Sequence, residues 1–333
     1  MFQAKITALI AAALVGTPFF QPGAVVRDGA LRTAALHHAD VTWHGGPMTA
    51  RTGEQVTVFT SDSYANGVND PQQWADFIAG LIHGSELGLL TAYIATPAEV
   101  ASLCYGDDVI GCYSADKLVA IGDAVGGVSP QEVVRHEYGH HVAANRDNAP
   151  WASIDWGTKR WASQENICSR ATGGNVFPGD EGANYTLNPG EAFAETYRVL
   201  NDVGGSGAAF DWSLVDSSFL PNAAELQAVE QDVLQPWSAP TTTVVRGAVG
   251  NAWTMALSLP LDGTLSVDLS YPAGARDDVV LTGASGKRVL ARGAPSGASS
   301  EKLTYMICGE RTARLKVMSR SGPGRFELRI TKP

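Results

Sequence analysis

Three of the seven histidines in this chain lie within six residues, in the stretch RHEYGHH at 135–141. His136 and His140 are four positions apart, so on a helix both imidazoles project from one face and can bind the same metal ion. Glu137 lies beside them, where its carboxylate can take a proton from a water molecule at that ion. The pattern H-E-x-x-H is typical of zinc hydrolases, and it predicts a Zn²⁺ site with Glu137 as general base.

The spacing also limits what the neighbouring residues can do. His141 points away from the face that the other two histidines share, so we interpret it as a structural or surface residue. The longer pattern H-E-x-x-H-x-x-G-x-x-H requires a glycine and a third histidine, but the sequence has Ala143 and Arg146 at those positions. The third protein ligand must therefore come from elsewhere in the chain.

The stretch NPGEAFAETYRVL at 188–200 predicts a second helix, with Asn188 as its N-cap. Glu191 and Glu195 are four positions apart, so they lie on one face, beside apolar residues. Because an unpaired buried charge is costly, two such carboxylates need a partner, and a zinc site supplies one. Glu191 is then the third ligand, and Glu195 accepts the second N–H of a ligating histidine. The alternative is a capping glutamate followed by an exposed acid.

The elements that must position these residues can be predicted from capping signals. Ser129 and Glu132 form a capping box around Pro130, which predicts a helix from residue 130 to about 145 under the histidines. The segments before it follow an α+β order, without repeated βαβ units. Strands are predicted at 54–61, 87–95 and 117–123, and helices at 70–84 and 96–104. We expect the strand at 117–123 to be the sheet edge with which an extended substrate pairs.

The two helical motifs together resemble those of a known enzyme family. HEYGHHV at 136–142, followed about fifty residues later by EAFAETYR at 191–198, is similar to the gluzincin metallopeptidases, and within them to the lethal-factor-like group. The resemblance covers about residues 85–200. It implies a zincin-like α+β metallopeptidase domain. In such a domain His136, His140 and Glu191 would bind zinc, and Glu137 would be the general base.

The same resemblance implies a tyrosine near the third ligand, where it would stabilise an oxyanion. Tyr185 is the residue that we expect in this role, and Tyr197 is the alternative. The insert at 146–187 is longer than the thermolysin-type spacing, which leaves the shape of the cleft and the substrate class open.

These features predict a zinc metalloendopeptidase that hydrolyses peptide bonds in protein or peptide substrates. Two alternatives keep the metal. One is a secreted, non-catalytic zinc-binding protein with an adhesive function, and the other is a zinc amidase that acts on cell-wall peptide. Glu137 argues against the first alternative, because binding zinc as a structural ion needs no general base.

The N-terminus predicts export. Residues 1–24 contain Lys5, an apolar run from Ile6 to Phe20 and small residues near Ala24, which is typical of a signal peptide. The run is shorter than the ~20 residues that span a bilayer, and no later stretch is long and apolar enough to do so. Residues 25–52 have no regular pattern and are expected to be irregular; their scattered histidines, His37, His38 and His44, do not suggest a site.

Four cysteines in an exported chain favour disulfides. Three pairings are open. Cys104 and Cys112 are the natural local pair, which would leave Cys168 and Cys308 as a long-range pair, although Cys308 as a buried free thiol is also compatible with the sequence.

The last part of the chain has a different pattern from the first. Residues 53–238 are predicted to form the metallopeptidase domain, and residues 239–333 contain strand-like runs at short intervals, which predict an all-β antiparallel sandwich. Its pattern and position resemble the pre-peptidase C-terminal domains of secreted bacterial proteases. Residues 240–333 carry a net charge of +6, against −16 for residues 1–239. The basic part therefore either contacts an acidic surface, which is that of the metallopeptidase domain itself or of an anionic cell-envelope polymer, or is simply solvated. The acidic chain as a whole argues against nucleic acid as a partner.

Overall fold

The computed structural model describes residues 27–28, 41–65, 67–106, 108–202 and 214–333. Its buried apolar side chains form two clusters, one within residues 50–233 and the other within residues 249–330. The first cluster lies among helices and a mixed sheet, and the second lies between antiparallel sheets, so the predicted change from mixed helix and sheet to a β-rich C-terminal part is confirmed. The predicted signal peptide, together with His37 and His38, lies outside the described residues.

The mixed sheet contains six strands, which have the bounds β1 Arg27–Asp28, β2 Trp43–Thr49, β3 Gln55–Ser61, β4 Thr91–Ala95, β5 Val109–Ser114 and β6 Lys117–Ile121. Their spatial order is β1-β5-β6-β4-β3-β2. The pairs β3–β4 and β4–β6 are parallel, whereas β2–β3 and β5–β6 are antiparallel. Each central strand is thus hydrogen-bonded to a neighbouring strand on both of its edges.

The expectation of an irregular segment at 25–52 is wrong for residues 43–49. These residues form β2 at the edge of the sheet, where Pro47 is tolerated because an edge strand has one side without ladder hydrogen bonds. Trp43 packs its ring against Tyr93 of β4, with ring centroids 5.1 Å apart. The strand was not predicted from the sequence because it contains Gly45, Gly46 and Pro47, and neither glycine nor proline favours strands.

The expectation that 117–123 is an edge strand is also wrong. β6 has β4 on one side and β5 on the other, so its backbone is already paired. The two-residue turn at Ala115 and Asp116, with φ of 48° and 62°, folds β5 back along β6 as a hairpin. Among the described residues, Arg27 and Asp28 pair with the outer side of β5 and run parallel to it. β6 is therefore an inner strand, and β5 lies between β6 and the two-residue strand β1.

The helices begin where the capping residues predict. Ser129 and Thr96 each accept a hydrogen bond from the third helical residue in a capping box, and Asp70 and Asn188 cap with their side chains. The bounds are α1 Pro71–Ile78, α2 Pro97–Cys104, α3 Pro130–Ala144, α4 Ser153–Trp156, α5 Lys159–Gln164, α6 Ile167–Thr172, α7 Pro189–Leu200 and α8 Ala223–Leu234. α1 is shorter than predicted, and a 3-10 turn at Ser85–Leu89 delays β4 to Thr91. None of the helices in these described ranges is long and apolar enough to cross a membrane.

The C-terminal β unit comprises residues 241–332 and consists of two antiparallel sheets around one apolar cluster. Its strands are β7 Thr241–Val249, β8 Ala252–Ser258, β9 Gly263–Ser270, β10 Asp277–Gly283, β11 Val289–Arg292, β12 Ala294–Gly297, β13 Ser300–Ile307, β14 Thr312–Ser319 and β15 Gly324–Lys332. One sheet has the order β11-β10-β14-β8 and the other has the order β12-β13-β9-β15-β7.

The four cysteines form two disulfides, in the pairing that takes Cys104 and Cys112 as the local pair. Cys104–Cys112 ties the end of α2 to β5, and Cys168–Cys308 ties α6 to the C-terminal β unit. Cys308 is therefore not a free thiol. Next to the second disulfide, the Arg311 guanidinium donates hydrogen bonds to the Ser163 carbonyl and the Asn166 side chain. The two parts of the chain are thus joined covalently and by hydrogen bonds.

A buried carboxylate near this junction predicts how stability depends on pH. Burial and the nearby Glu225 carboxylate raise the pKa of Glu165 from 4.5 to about 7, although Arg170 opposes the shift. Between these two values the folded state binds more protons than the unfolded state, so stability falls as the pH rises through this window. We expect Glu165→Gln to raise the melting temperature more at pH 8 than at pH 5, measured by circular dichroism. An equal shift at both pH values would contradict this explanation.

Candidate metal centre

α3 and α7 cross in unusually close contact. Gly139 faces Ala194, and a Cβ atom at Gly139 would lie 2.6 Å from the Ala194 Cα and 2.9 Å from its carbonyl oxygen. Only a hydrogen at this position leaves room for the other helix. Tyr138 and Tyr197 stack on one side of the crossing, with ring centroids 5.7 Å apart. The crossing brings the face of α3 that carries the histidines next to the face of α7 that carries the glutamates.

His136, His140 and Glu191 meet at this crossing. Their potential ligand atoms all lie within 4.8 Å of one another, and in the part of the chain that the structure describes this group is the one that could hold a metal ion. The Glu191 Oε2 lies 3.4 Å from the His136 Nε2 and 3.5 Å from the His140 Nε2. All three residues are buried. The geometry therefore provides two nitrogen donors and one oxygen donor around a single point, and it does not by itself identify the metal.

The electrostatics of the group favour positive charge. Burial alone would lower the pKa of His136, but hydrogen bonds with the Glu191 and Glu195 carboxylates outweigh it and raise the pKa to about 10. Burial alone would raise the pKa of Glu191, but the His140 and His136 imidazoles outweigh it and hold this pKa well below the usual range. Since the carboxylates stay ionised and attract a cation, a divalent metal ion suits the same position.

Glu195 lies behind His136, on the side away from Glu191. The His136 Nδ1 lies 3.2 Å from the Glu195 Oε2, and Glu195 is completely buried. The other oxygen of Glu195 accepts hydrogen bonds from the Arg198 guanidinium. This arrangement directs the Nε2 atom of His136 toward the metal position.

The Glu137 side chain is buried against β5. Its Oε2 has no hydrogen-bond partner among the residues that the structure describes. Burial raises the pKa of Glu137 to about 8. A Cβ atom at Gly111 of β5 would lie only 2.3 Å from the Glu137 Oε1, so the glycine makes room for this carboxylate. Gly111 was not predicted from the sequence, where the available signal was a glycine between apolar residues in a short strand.

The two tyrosines considered for the oxyanion lie in different places. The Tyr185 hydroxyl donates a hydrogen bond of 3.0 Å to the Glu191 Oε2, so Tyr185 lies at the site. The Tyr197 hydroxyl instead donates to the Ile82 carbonyl oxygen at 2.6 Å. Tyr197 thus packs within the first core, and Tyr185 is the tyrosine that the fold brings to the ligand group.

His141 is a structural residue. It is completely buried, and its Nε2 lies 2.8 Å from the Glu86 carbonyl oxygen. Its Nδ1 lies 3.2 Å from the Tyr113 hydroxyl. Burial lowers the pKa of His141, which favours the neutral imidazole. Of the two sequence interpretations, the structural one is correct and the surface one is wrong.

A cleft of about 1350 Å³ opens onto His140 and Glu191. Residues at both ends of β5 line it, and so does the segment 146–155. This segment belongs to the insert that exceeded the expected spacing, so the insert shapes the cleft. Glu181 of the same insert also lines it. The volume is sufficient for several residues of an extended peptide.

Comparisons with known proteins add little to this geometry. No protein-family model matches the chain, and no curated protein matches it. Among solved structures, the pre-peptidase C-terminal domain of a collagenase from Bacillus anthracis is similar, with 17% sequence identity and a TM-score of 0.23 over 27% of this chain and 88% of that chain. So distant a likeness carries no functional argument, and the function must be argued from the site.

The helix crossing yields a direct prediction. Gly139→Ala would push α7 away from α3 and separate Glu191 from the two histidines. Overpacking of this kind costs about 1–3 kcal/mol, which exceeds the helix-propensity gain of alanine. We expect a lower melting temperature and weaker binding of divalent metal ions, measured by calorimetry and by chelator competition. Gly88→Ala is the matched control, because a Cβ atom there meets nothing within 4 Å. Wild-type metal affinity in Gly139→Ala would contradict this role of the crossing.

Proposed function

We propose that this chain is a secreted zinc metallopeptidase that hydrolyses peptide bonds in protein or peptide substrates. The observation that carries the proposal is the buried His136–His140–Glu191 group with Glu137 beside it, whose Oε2 has no hydrogen-bond partner among the described residues. Two imidazoles and one carboxylate form a donor set that suits zinc and leaves a further coordination position open. A structural zinc site would instead be closed by a fourth protein ligand.

The residues divide the chemistry between them. His136, His140 and Glu191 would hold the ion. When bound, zinc supplies a Lewis acid that acidifies water and polarises a carbonyl group. Glu137 accepts the proton of the attacking water and passes it to the departing amine. The Tyr185 hydroxyl, which lies at the Glu191 carboxylate, donates to the oxyanion that develops on the substrate.

The cleft and the sheet edge support a peptide as the substrate. Apart from its pairing with Arg27 and Asp28, β5 has no partner on its outer side among the described residues, and an extended chain can add to such an edge as another strand. The same strand contacts the proposed base through Gly111, so a peptide on β5 passes close to Glu137. Because α3 packs against β5 and β6, the strand and the metal-binding helix hold a fixed spacing.

The rest of the proposal concerns the architecture and the compartment. We assign residues 53–238 to a zincin-like domain and residues 239–333 to an accessory β-sandwich. The sheets that enclose a shared core support the sandwich, and α3 packed on a mixed sheet supports the zincin-like domain. The two disulfides support an oxidising extracellular compartment.

A zinc amidase acting on cell-wall peptide is the second candidate. It uses the same ligands and base, and the net charge of +6 on residues 240–333 favours contact with an anionic envelope polymer. The non-catalytic zinc-binding alternative has less support, because a buried carboxylate such as Glu137, whose Oε2 has no partner among the described residues, is costly to keep unless it acts. Zymograms with casein and with purified peptidoglycan separate the three functions.

The assignment of the base gives the central prediction. Glu137→Gln keeps the shape of the side chain but cannot accept the proton, so we expect stoichiometric zinc and a loss of about 10²–10⁴-fold in kcat. Zinc content is measured by plasma emission spectrometry, and the rate of hydrolysis is measured on a casein-derived peptide. Glu230→Gln, at an exposed position on α8, is the matched control and should keep full activity. Full activity in Glu137→Gln would refute the base, and wild-type protein without zinc would refute the site.

The position of β1 gives a prediction about the N-terminus. The backbone of Arg27 and Asp28 pairs with Val109 and Gly111 of β5, where we place the substrate. We expect a chain that begins at Val41 to have a higher kcat/KM on long peptides than a chain that begins at Val25, because the edge no longer carries a competing strand. Both forms should bind one zinc ion with the same affinity. Equal kcat/KM values would show that the substrate does not use this edge.

A further inference from the structure

Arg198 is one of the largest completely buried side chains, with 1% of its surface exposed. A guanidinium in the interior is strongly destabilising unless its charge and its hydrogen-bond donors are matched by partners. Arg198 lies on α7, three residues after Glu195, so the helix itself places the two side chains together. Because burying this cation next to Glu195 adds little to stability, we expect Arg198 to have another role at the site.

The contacts form a chain that leads to the metal position. The Arg198 Nε and Nη2 donate to the Glu195 Oε1 at 2.9 Å and 2.8 Å. The Glu195 Oε2 lies 3.2 Å from the His136 Nδ1. The His136 Nε2 in turn faces the Glu191 Oε2 at 3.4 Å. Each carboxylate oxygen of Glu195 therefore has a separate partner, one on each side.

We propose that Arg198 is a positioning residue for the metal ligand His136 and acts through Glu195. The inference rests on the proposed zinc site. Arg198 holds the Glu195 carboxylate in one rotamer and balances its charge, so that Oε2 accepts the Nδ1–H of His136 and the Nε2 lone pair points to the metal. Without this balance, Glu195 would be a buried carboxylate whose Oε1 lacks its cationic partner, and the imidazole would lose its fixed tautomer and orientation.

The guanidinium geometry explains why an arginine occupies this position. Nε and Nη2 are fixed in one plane and both reach the same carboxylate oxygen, which orients the carboxylate as well as neutralising it. A lysine would keep the charge but offers only a point-like ammonium group. Arg198→Lys should consequently retain part of the function, whereas a neutral Arg198→Gln should retain less.

The chain of contacts ends at the protein surface. The Arg198 Nη1 lies 3.9 Å from the Asp202 Oδ2, and the Arg135 Nη1 lies 3.9 Å from the Asp202 Oδ1. These distances are long and Asp202 is partly exposed, so solvent weakens both interactions. Asp202→Asn is therefore a mild variant of the same cluster, and we expect it to change zinc affinity little.

The test measures zinc affinity by chelator competition on folded protein, with circular dichroism to establish folding. We expect Arg198→Gln to bind zinc about 10–100-fold more weakly than wild type, and Arg198→Lys to recover part of that loss. The control for burial is Arg146→Gln, which removes another buried arginine whose partner, Glu86, does not touch the metal ligands. Arg146→Gln should be less stable than wild type yet keep its zinc affinity.

A double variant separates positioning from a general structural role. If Arg198 acts through Glu195, then Arg198→Gln combined with Glu195→Gln should bind zinc no more weakly than Glu195→Gln alone. The visible absorption of the Co²⁺-substituted protein should also change in Arg198→Gln and not in Arg146→Gln, because it reports ligand geometry. If Arg198→Gln does not fold, the same comparisons are made with Arg198→Lys.

The inference is overturned by wild-type zinc affinity in folded Arg198 variants, by an equal loss in Arg146→Gln, or by fully additive losses in the double variant. These outcomes differ from failure of the proposed function. A wild-type protein that binds no zinc removes the site itself, whereas a zinc-binding wild type with an unaffected Arg198 variant removes only the role of Arg198.

Discussion

The contact between α3 and α7 at Gly139 and Ala194 is the constraint on which the metal centre depends. His136 and His140 come from one helix and Glu191 from the other, so their convergence requires the two backbones to approach within van der Waals distance. Side chains of ordinary size at the crossing would keep the helices apart. The glycine inside the H-E-x-x-H motif therefore has a packing function in addition to its place in the pattern.

Burying so many ionisable groups at this crossing is possible because each charge faces an opposite one. Glu191 lies between the two imidazoles, and Glu195 lies between His136 and Arg198. Removing one member of such a network leaves its neighbour as an isolated buried charge, which costs more than the loss of a single contact. Glu137 stands apart from this pairing, since its Oε2 has no partner in the described residues. That difference distinguishes Glu137 from the charge-paired residues around it.

The sheet supplies the other side of the cleft. The turn at Ala115 and Asp116 folds β5 back on β6, which moves the open edge one strand further out and places Gly111 against Glu137. Cys104–Cys112 ties the same strand to α2. The side of the cleft that carries His140 and Glu191 is thus held by a helix crossing, and the side formed by β5 is held by a hairpin and a disulfide.

Local signals in the sequence determined where α2 and α3 begin and which residues form the candidate metal centre. The capping boxes at Ser129 and Thr96, the four-residue spacing of His136 and His140, and the paired acids Glu191 and Glu195 depend only on neighbours within a few positions. The sequence could not determine β2, the hairpin of β5 or the choice between Tyr185 and Tyr197. Strand pairing, edge position and the direction of a buried hydroxyl depend on residues far away in the chain, whose contacts form only when the core packs. For the same reason, the position of Arg198 behind Glu195 and the room that Gly111 leaves for Glu137 became visible only in the tertiary structure.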